Sequence, residues 1–369
     1  MRYDAIVIGA GIAGSTIAYF LSKRGLNTLV LEQNKIACGA SGAAGAFLSP
    51  MMGRGMLVDF VNNSLIFALD FYQKIAPDLL ICKGALRVPK AKENIDLLYE
   101  EANISNLPNS RLENGIFFKD AGAIDAVKIC ERLLENTRCL EGVKSEKPYY
   151  KNGEWHTAGY SAPILVSAIG AYESILPIWW LSMRGVWGER VRIRPKEAIA
   201  HNYLGDIAIS ASFSDGTAAI GATHKRRQTE WSIDENAANE LMLKATALFR
   251  GVEGAEILEV LGGMRPASSD YFPIAGRVFN AQKTFAEFPN IINGENIATE
   301  MFVKFPDLYI FTGHGGRGFV TAPLTASALC DLIVDKKPSP MDADRFILRY
   351  FRRHFNAAEY DSADKTLEY

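Results

Sequence analysis

The chain has 369 residues, 48% of them hydrophobic and 22% charged, which is the composition of a globular protein long enough for two domains. Its formal net charge of −2 excludes electrostatic nucleic-acid binding by the whole surface, although a local basic patch remains compatible with it. The five cysteines form no C-x-x-C pair and do not cluster with histidines, so we expect no metal and a reducing, cytoplasmic location. The first residues show no signal peptide, and the apolar stretch 162–181 carries Glu173 and Pro177, so we expect a core strand and a turn there and no membrane span.

The chain opens with a β-α-β pattern. Buried strands are predicted at 3–8 and 28–31, with a helix at 15–24 between them. The turn before the helix reads G-x-G-x-x-G and consists of Gly9, Ala10, Gly11, Ile12, Ala13 and Gly14. Its glycines allow a tight turn, approach to a pyrophosphate and close helix packing, while the helix N-terminus favours phosphate binding. Glu32 ends the second strand, where its carboxylate can accept hydrogen bonds from ribose hydroxyls, so FAD or NAD is favoured over NADP.

A second loop of small residues follows Glu32 and favours FAD over NAD. It contains Ala40, Ser41, Gly42, Gly45 and Ala46. Glycine leaves room for the backbone, so this loop can wrap the pyrophosphate and approach a flavin ring closely. A flexible surface loop is the alternative interpretation.

The middle of the chain is predicted to be rich in strands. We expect helices at 59–75, 125–135 and 235–249, strands at 84–88, 115–118 and 164–168, a hairpin turn at Asn152-Gly153, and antiparallel strands through 184–223. Val191 and Ile193 alternate with arginines, so one strand has an apolar and a basic face. The basic residues that could contact RNA phosphates, or else form a solvated surface, are Arg190, Arg192, Arg194, Lys225, Arg226, Arg227, Arg349, Arg352 and Arg353.

A third glycine-rich turn lies near the end of the chain, between a predicted strand at 308–311 and a helix at 322–334. It consists of Gly313, His314, Gly315, Gly316, Arg317 and Gly318. Four glycines in six residues cost conformational entropy unless the backbone must come close to something. A helix N-terminus aimed at the pyrimidine end of a flavin would stabilise the negative charge of the reduced ring. A plain strand-to-helix turn is the alternative, and His314 receives no role.

The motifs, in this order, resemble the D-amino-acid-oxidase-like flavoprotein family, which includes glycine oxidase, sarcosine oxidase and D-amino-acid dehydrogenase. The resemblance spans nearly the whole chain and rests on the segments GAGIAGSTIAYFLSKRG, LEQ…GASGAAGAFLSP, LVSAIGA, IGATHKR, GGMRPASSDYFPIAG and GHGGRGFVTAPLTASAL. It implies that Arg265 binds a substrate carboxylate in a bidentate fork, the alternative being a structural ion pair. Gly263 stands where sarcosine oxidases attach the flavin to a cysteine, so FAD is expected to be non-covalent. The assigned cofactor residues also include Gln33, Val143 and Gly170.

One branch of the family is the most similar: the C-terminal FAD-dependent domain of bifunctional tRNA 5-methylaminomethyl-2-thiouridine biosynthesis proteins. The segments GGMRPASSDYFPIAGRV, GHGGRGFVTAPLTA and PSPMDADRF carry this similarity. It implies oxidation of a carboxymethylaminomethyl group on a tRNA wobble uridine, which leaves the aminomethyl form and releases glyoxylate. The methyltransferase domain of those proteins has no counterpart in this sequence, so a separate methyltransferase is an expected partner.

The predicted fold is α/β, a Rossmann-like FAD-binding domain interleaved with an antiparallel-sheet α+β substrate domain. The predicted divisions are 1–50, 117–180 and 305–369 for the FAD-binding domain, and 51–116 and 181–304 for the substrate domain. The expected substrate is an amine or amino-acid-like molecule, on tRNA or free. Oxidation of free glycine, sarcosine or a D-amino acid is the alternative, and a flavin-binding subunit with little activity of its own is a third.

Overall fold

The computed structural model describes residues 2–90, 93–171, 175, 176, 178, 180, 181, 183–226, 232–234, 236–339, 341 and 343. These residues contain seven α-helices: α1 (Ile12–Lys23), α2 (Met56–Ile75), α3 (Ile95–Asn103), α4 (Ala126–Leu134), α5 (Ala237–Leu248), α6 (Ala281–Glu287) and α7 (Gly318–Asp335). The five helices predicted from the sequence are confirmed as α1, α2, α4, α5 and α7. Asp125 caps α4 by accepting a hydrogen bond from the backbone N–H of Lys128.

The same residues contain twenty-one strands. In chain order they are β1 (Ala5–Ile8), β2 (Thr28–Leu31), β3 (Phe47–Leu48), β4 (Leu80–Ile81), β5 (Ala85–Arg87), β6 (Asn109–Leu112), β7 (Gly115–Phe118), β8 (Gly122–Ile124), β9 (Arg138–Leu140), β10 (Tyr149–Lys151), β11 (Glu154–Thr157), β12 (Tyr160–Ala162), β13 (Ile164–Ser167), β14 (Met183–Arg194), β15 (Asn202–Leu204), β16 (Ala208–Ile209), β17 (Ala218–Gly221), β18 (Lys225–Arg226), β19 (Glu256–Ser268), β20 (Ile274–Phe279) and β21 (Lys304–Thr312).

A six-stranded sheet unites the start, middle and end of the chain, as the sequence predicts. Its order is β20-β21-β13-β1-β2-β9, and every neighbouring pair is parallel except β20 with β21. Ala5 and Val7 belong to the core that includes residues of α1, α2, α4 and α7, whereas Ile6 and Ile8 belong to a second core with Trp155 and Phe279. Burial on both faces explains why β1 is apolar throughout.

The larger sheet is built around β14, which is paired along one edge with β19 and along the other with β17 and β18. From β17 the sheet continues through β16, β15, β5 and β7 to β6. Val191 and Ile193 pack with residues of α5 in a third core, which confirms the predicted apolar face of this strand. The arginines that alternate with them therefore occupy the opposite face of the sheet.

Two small sheets complete the strand arrangement, β10-β11-β12 and β3-β8-β4. The first contains the hairpin predicted at Asn152-Gly153, and both of these residues have positive φ. The division into two interleaved domains stays a prediction. In the observed pairing, β20 is antiparallel to β21 and therefore lies with the six-stranded sheet, although 274–279 falls in the predicted substrate domain.

One described helical segment, Gly315–Asp335, has the length and apolar composition of a membrane span, but most of it is buried inside the protein. It packs on α1 and α2, and the Tyr72 hydroxyl donates a 2.9 Å hydrogen bond to the Phe319 carbonyl. These contacts are those of a core helix.

Candidate active site

The turn between β1 and α1 brings the helix unusually close to the strand. Gly9 has φ +101°, and a methyl group added to Gly14 would lie 1.8 Å from the Gly9 carbonyl oxygen. No side chain fits at Gly14, so the third glycine of the motif is required for packing. The Ser41 hydroxyl, from the second small-residue loop, accepts a 2.9 Å hydrogen bond from the Ile12 N–H. The N–H groups of Ala13 and Gly14 accordingly remain available for phosphate oxygens within the described structure.

Glu32 is held at the end of β2 by backbone groups. Its carboxylate oxygens accept hydrogen bonds from the N–H groups of Ala10 and Asn34, both at 2.9 Å. The Val143 N–H donates to the Glu32 carbonyl at 2.9 Å, which places the predicted Val143 beside Glu32. An ionised carboxylate has about four acceptor sites, so it retains capacity for two ribose hydroxyls.

The C-terminal glycine turn meets the N-terminal one. A methyl group at Gly318 would lie 3.0 Å from Ile12 Cγ2, and the Thr312 hydroxyl donates to the Gly170 carbonyl at 3.3 Å. The Arg317 Nη1 donates to the Ser49 carbonyl at 3.4 Å, just beyond the second small-residue loop. The structure thus brings the three predicted glycine-rich segments together, and Gly170 with them.

Arg265 lies on β19, directly opposite Val186 of β14. Its Nη1 donates to the Thr223 carbonyl at 3.2 Å, and within the described residues it forms no ion pair with an acid. Burial lowers the pKa of the guanidinium to about 10, which still leaves it protonated at neutral pH. A methyl group on Gly188 would lie 2.0 Å from Arg265 Nη2, and one on Gly316 would lie 3.8 Å from Arg265 Cδ. Arg265 is therefore a half-buried cation without a counter-ion, packed against two glycines.

The sheet face that carries Arg265 packs on the second small-residue loop. A methyl group at Gly263, two residues along β19, would lie 2.7 Å from Ala40 Cα. On the neighbouring strand, the buried Arg190 donates a 2.8 Å hydrogen bond from Nη2 to the Gly42 carbonyl. Arg265 consequently shares one sheet face with groups that touch the predicted flavin loop.

The hypothesis that the arginines of β14 contact RNA phosphates is wrong for Arg190, because its side chain is buried under the loop. Arg192 forms a 2.7 Å ion pair with Asp215, and Arg194 lies 3.3 Å from Glu256. Their charges are already balanced by acids. Among the other basic candidates, Arg227, Arg349, Arg352 and Arg353 lie outside the described residues.

His314, left without a role by the sequence, is buried in the C-terminal turn. Its Nδ1 lies 2.9 Å from the Thr321 hydroxyl, which itself donates to the Arg317 carbonyl. The hydroxyl hydrogen is thus engaged, so Nδ1 carries the imidazole proton and Nε2 has a lone pair. Nε2 is buried without a partner among the described groups, and burial lowers the pKa of the ring to about 3. His314 is a neutral imidazole.

A family model described as FAD dependent oxidoreductase matches residues 4–332. The chain belongs to this family. It is an FAD-dependent oxidoreductase. The residues present fit FAD: a glycine turn at a helix N-terminus for the pyrophosphate, and Glu32 for the ribose.

Two relatives are proteins named tRNA 5-methylaminomethyl-2-thiouridine biosynthesis bifunctional protein MnmC. The protein from Legionella pneumophila is 26% identical over 364 residues, and that from Campylobacter jejuni is 26% identical over 341 residues. Both alignments cover 89% of this chain and 54% of the relative, so the chain spans about half the length of these proteins. Glycine oxidase from Geobacillus kaustophilus has the same fold, with a TM-score of 0.75, 21% identity, and coverage of 96% of this chain and 100% of that chain.

Sequence reasoning missed three features of the surroundings of Arg265. They are the Gly188 surface beneath the guanidinium, the Thr223 carbonyl that binds it, and the buried Glu189 that anchors Thr223. Glu189 accepts a 2.8 Å hydrogen bond from the Thr223 hydroxyl and one of the same length from the Asp234 N–H. A glycine inside a long strand, as at Gly188, was the available signal of a close approach.

Proposed function

We propose that this chain oxidises the carboxymethylaminomethyl group of a tRNA uridine, leaving the aminomethyl form and releasing glyoxylate. The observation that carries the proposal is Arg265: a half-buried guanidinium with no acidic partner among the described residues, beside the loop assigned to the flavin. A buried charge without a counter-ion is costly, and a substrate carboxylate would offset that cost. The similarity to the two MnmC proteins supports tRNA as the carrier of that carboxylate.

FAD, bound non-covalently, supplies a two-electron acceptor for the hydride of the carbon next to nitrogen. Arg265 would hold the carboxylate in a bidentate fork and thereby fix the methylene group for that transfer. As the carboxymethyl carbon gives up a hydride, the nitrogen would lose a proton to solvent, and the bond between them becomes a C=N bond to whose carbon water then adds. Hydrolysis breaks the C–N bond, so the carbon leaves as glyoxylate and the nitrogen stays on the nucleoside as a primary amine.

Three chain segments would hold the cofactor. The first is the turn from Gly9 to Gly14 with Glu32 and Gln33. The second is the loop from Ala40 to Ala46, and the third is the turn from Gly313 to Gly318. Val143 and Gly170, which lie between the second and third segments in the sequence, would also contact the cofactor. Gly263 leaves no side chain for a covalent bond to the flavin, and the contact of its backbone with Ala40 leaves no space for one. We also propose that the protein acts in the cytoplasm, where tRNA is modified. A separate methyltransferase would then methylate the aminomethyl product.

The proposal is tested by product analysis. Protein with bound FAD is incubated with tRNA bearing carboxymethylaminomethyl uridine. Glyoxylate is trapped as a hydrazone, and the nucleosides of the digested tRNA are quantified by mass spectrometry. We expect equal amounts of glyoxylate and aminomethyl uridine, and neither with Arg265→Ala. Glyoxylate from free glycine but none from the tRNA would replace the proposal with an amino-acid oxidase, for which the same clamp would serve.

A further inference from the structure

The sheet face that carries Arg265 continues outwards to a group of exposed basic residues. Arg184 is two residues before Val186 on β14 and is paired with Ala267, while Arg226 of β18 is paired with Val186. Paired residues and residues two apart share a face. From strand spacing, the Cα atoms of Arg184 and Arg226 lie ~8 Å and ~10 Å from that of Arg265. Both arginines are exposed, and neither forms an ion pair with any residue that the structure describes.

An exposed aromatic ring accompanies this face. Tyr271 lies in the turn between β19 and β20, its side chain is 56% exposed, and the Arg184 guanidinium carbon lies 5.7 Å from its ring centroid. The turn is held in place, since the Asp270 carboxylate accepts hydrogen bonds from the Ser268 hydroxyl at 3.1 Å and the Phe272 N–H at 3.2 Å. The ring is therefore presented to solvent on a fixed turn, with a cation beside it.

The local charge is positive. The pKa of His224, which follows Thr223, is lowered by burial and then by the nearby charges of Arg265, Lys90 and Arg226. Lys90 and Arg226 therefore add their positive charges to that of the Arg265 clamp around His224. The nearby acid Glu189 lies on the other face of β14, where its carboxylate forms a 3.2 Å ion pair with Lys225 Nζ.

We propose that Arg184, Tyr271 and Arg226 form a binding site for single-stranded RNA next to the Arg265 clamp. A nucleobase beside the modified uridine stacks on Tyr271 and Arg184, and Arg226 binds a phosphate. This inference rests on the proposed function, since it names how the RNA part of that substrate is held. Aromatic rings and guanidinium planes are the groups on which unpaired bases stack, and exposed arginines without acidic partners match the charge of the RNA backbone.

The test measures RNA binding by the FAD-loaded protein. A fluorescent, unmodified anticodon stem–loop is titrated and followed by anisotropy at several salt concentrations. We expect Tyr271→Ala to weaken binding by on the order of 10-fold or more, and Tyr271→Phe, which keeps the ring, to retain it. The matched control is Tyr149→Ala, which removes a similarly exposed tyrosine from the small sheet β10-β11-β12 and should not change RNA binding. Arg226→Gln should reduce the dependence of log affinity on log salt by about one unit.

Flavin reduction separates the two possible failures. If modified tRNA reduces the wild-type flavin while Tyr271→Ala binds and reacts as the wild type does, the binding site is wrong and the proposed function stands. If the wild type neither binds the stem–loop nor is reduced by the tRNA, both fail. Unchanged reduction of Tyr271→Ala by free glycine or sarcosine, under conditions where these reduce the wild type, shows that a loss with RNA does not come from misfolding.

Discussion

Gly188→Ala should disable the carboxylate clamp without touching its arginine. The added methyl group would lie 2.0 Å from Arg265 Nη2, whereas ordinary contact begins near 3.4 Å, so the guanidinium must move by about 1.4 Å. The obstructed atom is the end of a flexible side chain, so we expect the fold to adjust at a cost of under ~1 kcal/mol. A displacement of that size breaks the geometry of a bidentate pair, in which charged hydrogen bonds contribute about 1.5–3 kcal/mol. We expect a loss of ~2 kcal/mol, or ~30-fold in carboxylate affinity.

The assay is a titration of the oxidised, FAD-loaded protein with glycolate, followed through the change in flavin absorption. Gly185→Ala is the matched control on the same strand, because its methyl group would meet the Met264 sulfur at 2.8 Å, on the other face of the sheet. This variant should bind glycolate as the wild type does. Equal glycolate affinity in Gly188→Ala and the wild type would refute the assignment of Arg265 as the clamp.

Three further variants test other groups. Arg265→Ala should keep FAD and lose about 2–4 kcal/mol in kcat/KM for carboxylate substrates, with only partial rescue by lysine; wild-type turnover would exclude the clamp. Glu32→Ala should raise the dissociation constant of FAD by on the order of 10-fold, measured by flavin fluorescence, and an unchanged constant would remove Glu32 from the ribose site. His314→Gln should reduce the loss of stability in acid. The pKa of His314 in the folded protein, about 3, lies below the unfolded value of ~6.5. The free energy of unfolding of the wild type should therefore fall by ~1.4 kcal/mol per pH unit below pH 6.5, because the unfolded state binds a proton there and the folded state does not. Parallel unfolding free energies of variant and wild type between pH 6.5 and 5 would contradict this.

The β-α-β unit that carries the first predicted cofactor residues could be predicted from the sequence because its signals are local. The strand, glycine turn, helix and acid of the β-α-β unit fall within 28 consecutive residues, Ala5–Glu32, and each is specified by its neighbours. The hairpin at Asn152-Gly153 was predicted for the same reason. The short helices α3 and α6 were missed because nine and seven residues give too few turns for a clear periodicity.

The substrate half depends on register between strands that are far apart in the chain. Gly188 lies against Arg265 because β14 pairs with β19. These strands are separated by more than sixty residues, so no local sequence pattern encodes the contact. Alternation along β14 correctly grouped Arg190 with Arg192 and Arg194. Alternation could not show that the loop 39–45 covers the arginine face of β14 at Arg190 and leaves Arg194 exposed. The buried Arg190 was therefore interpreted as a possible RNA contact.

Anaerobic stopped-flow reduction of the bound flavin tests the proposed substrate most directly. Wild-type protein is mixed, without oxygen, with tRNA bearing carboxymethylaminomethyl uridine or with free glycine, each at low and high salt. We predict that the tRNA bleaches the flavin absorption far faster than glycine does, and that salt slows the tRNA reaction because phosphate contacts weaken. Efficient bleaching by glycine or a D-amino acid, with none by the tRNA at either salt concentration, would contradict the proposal.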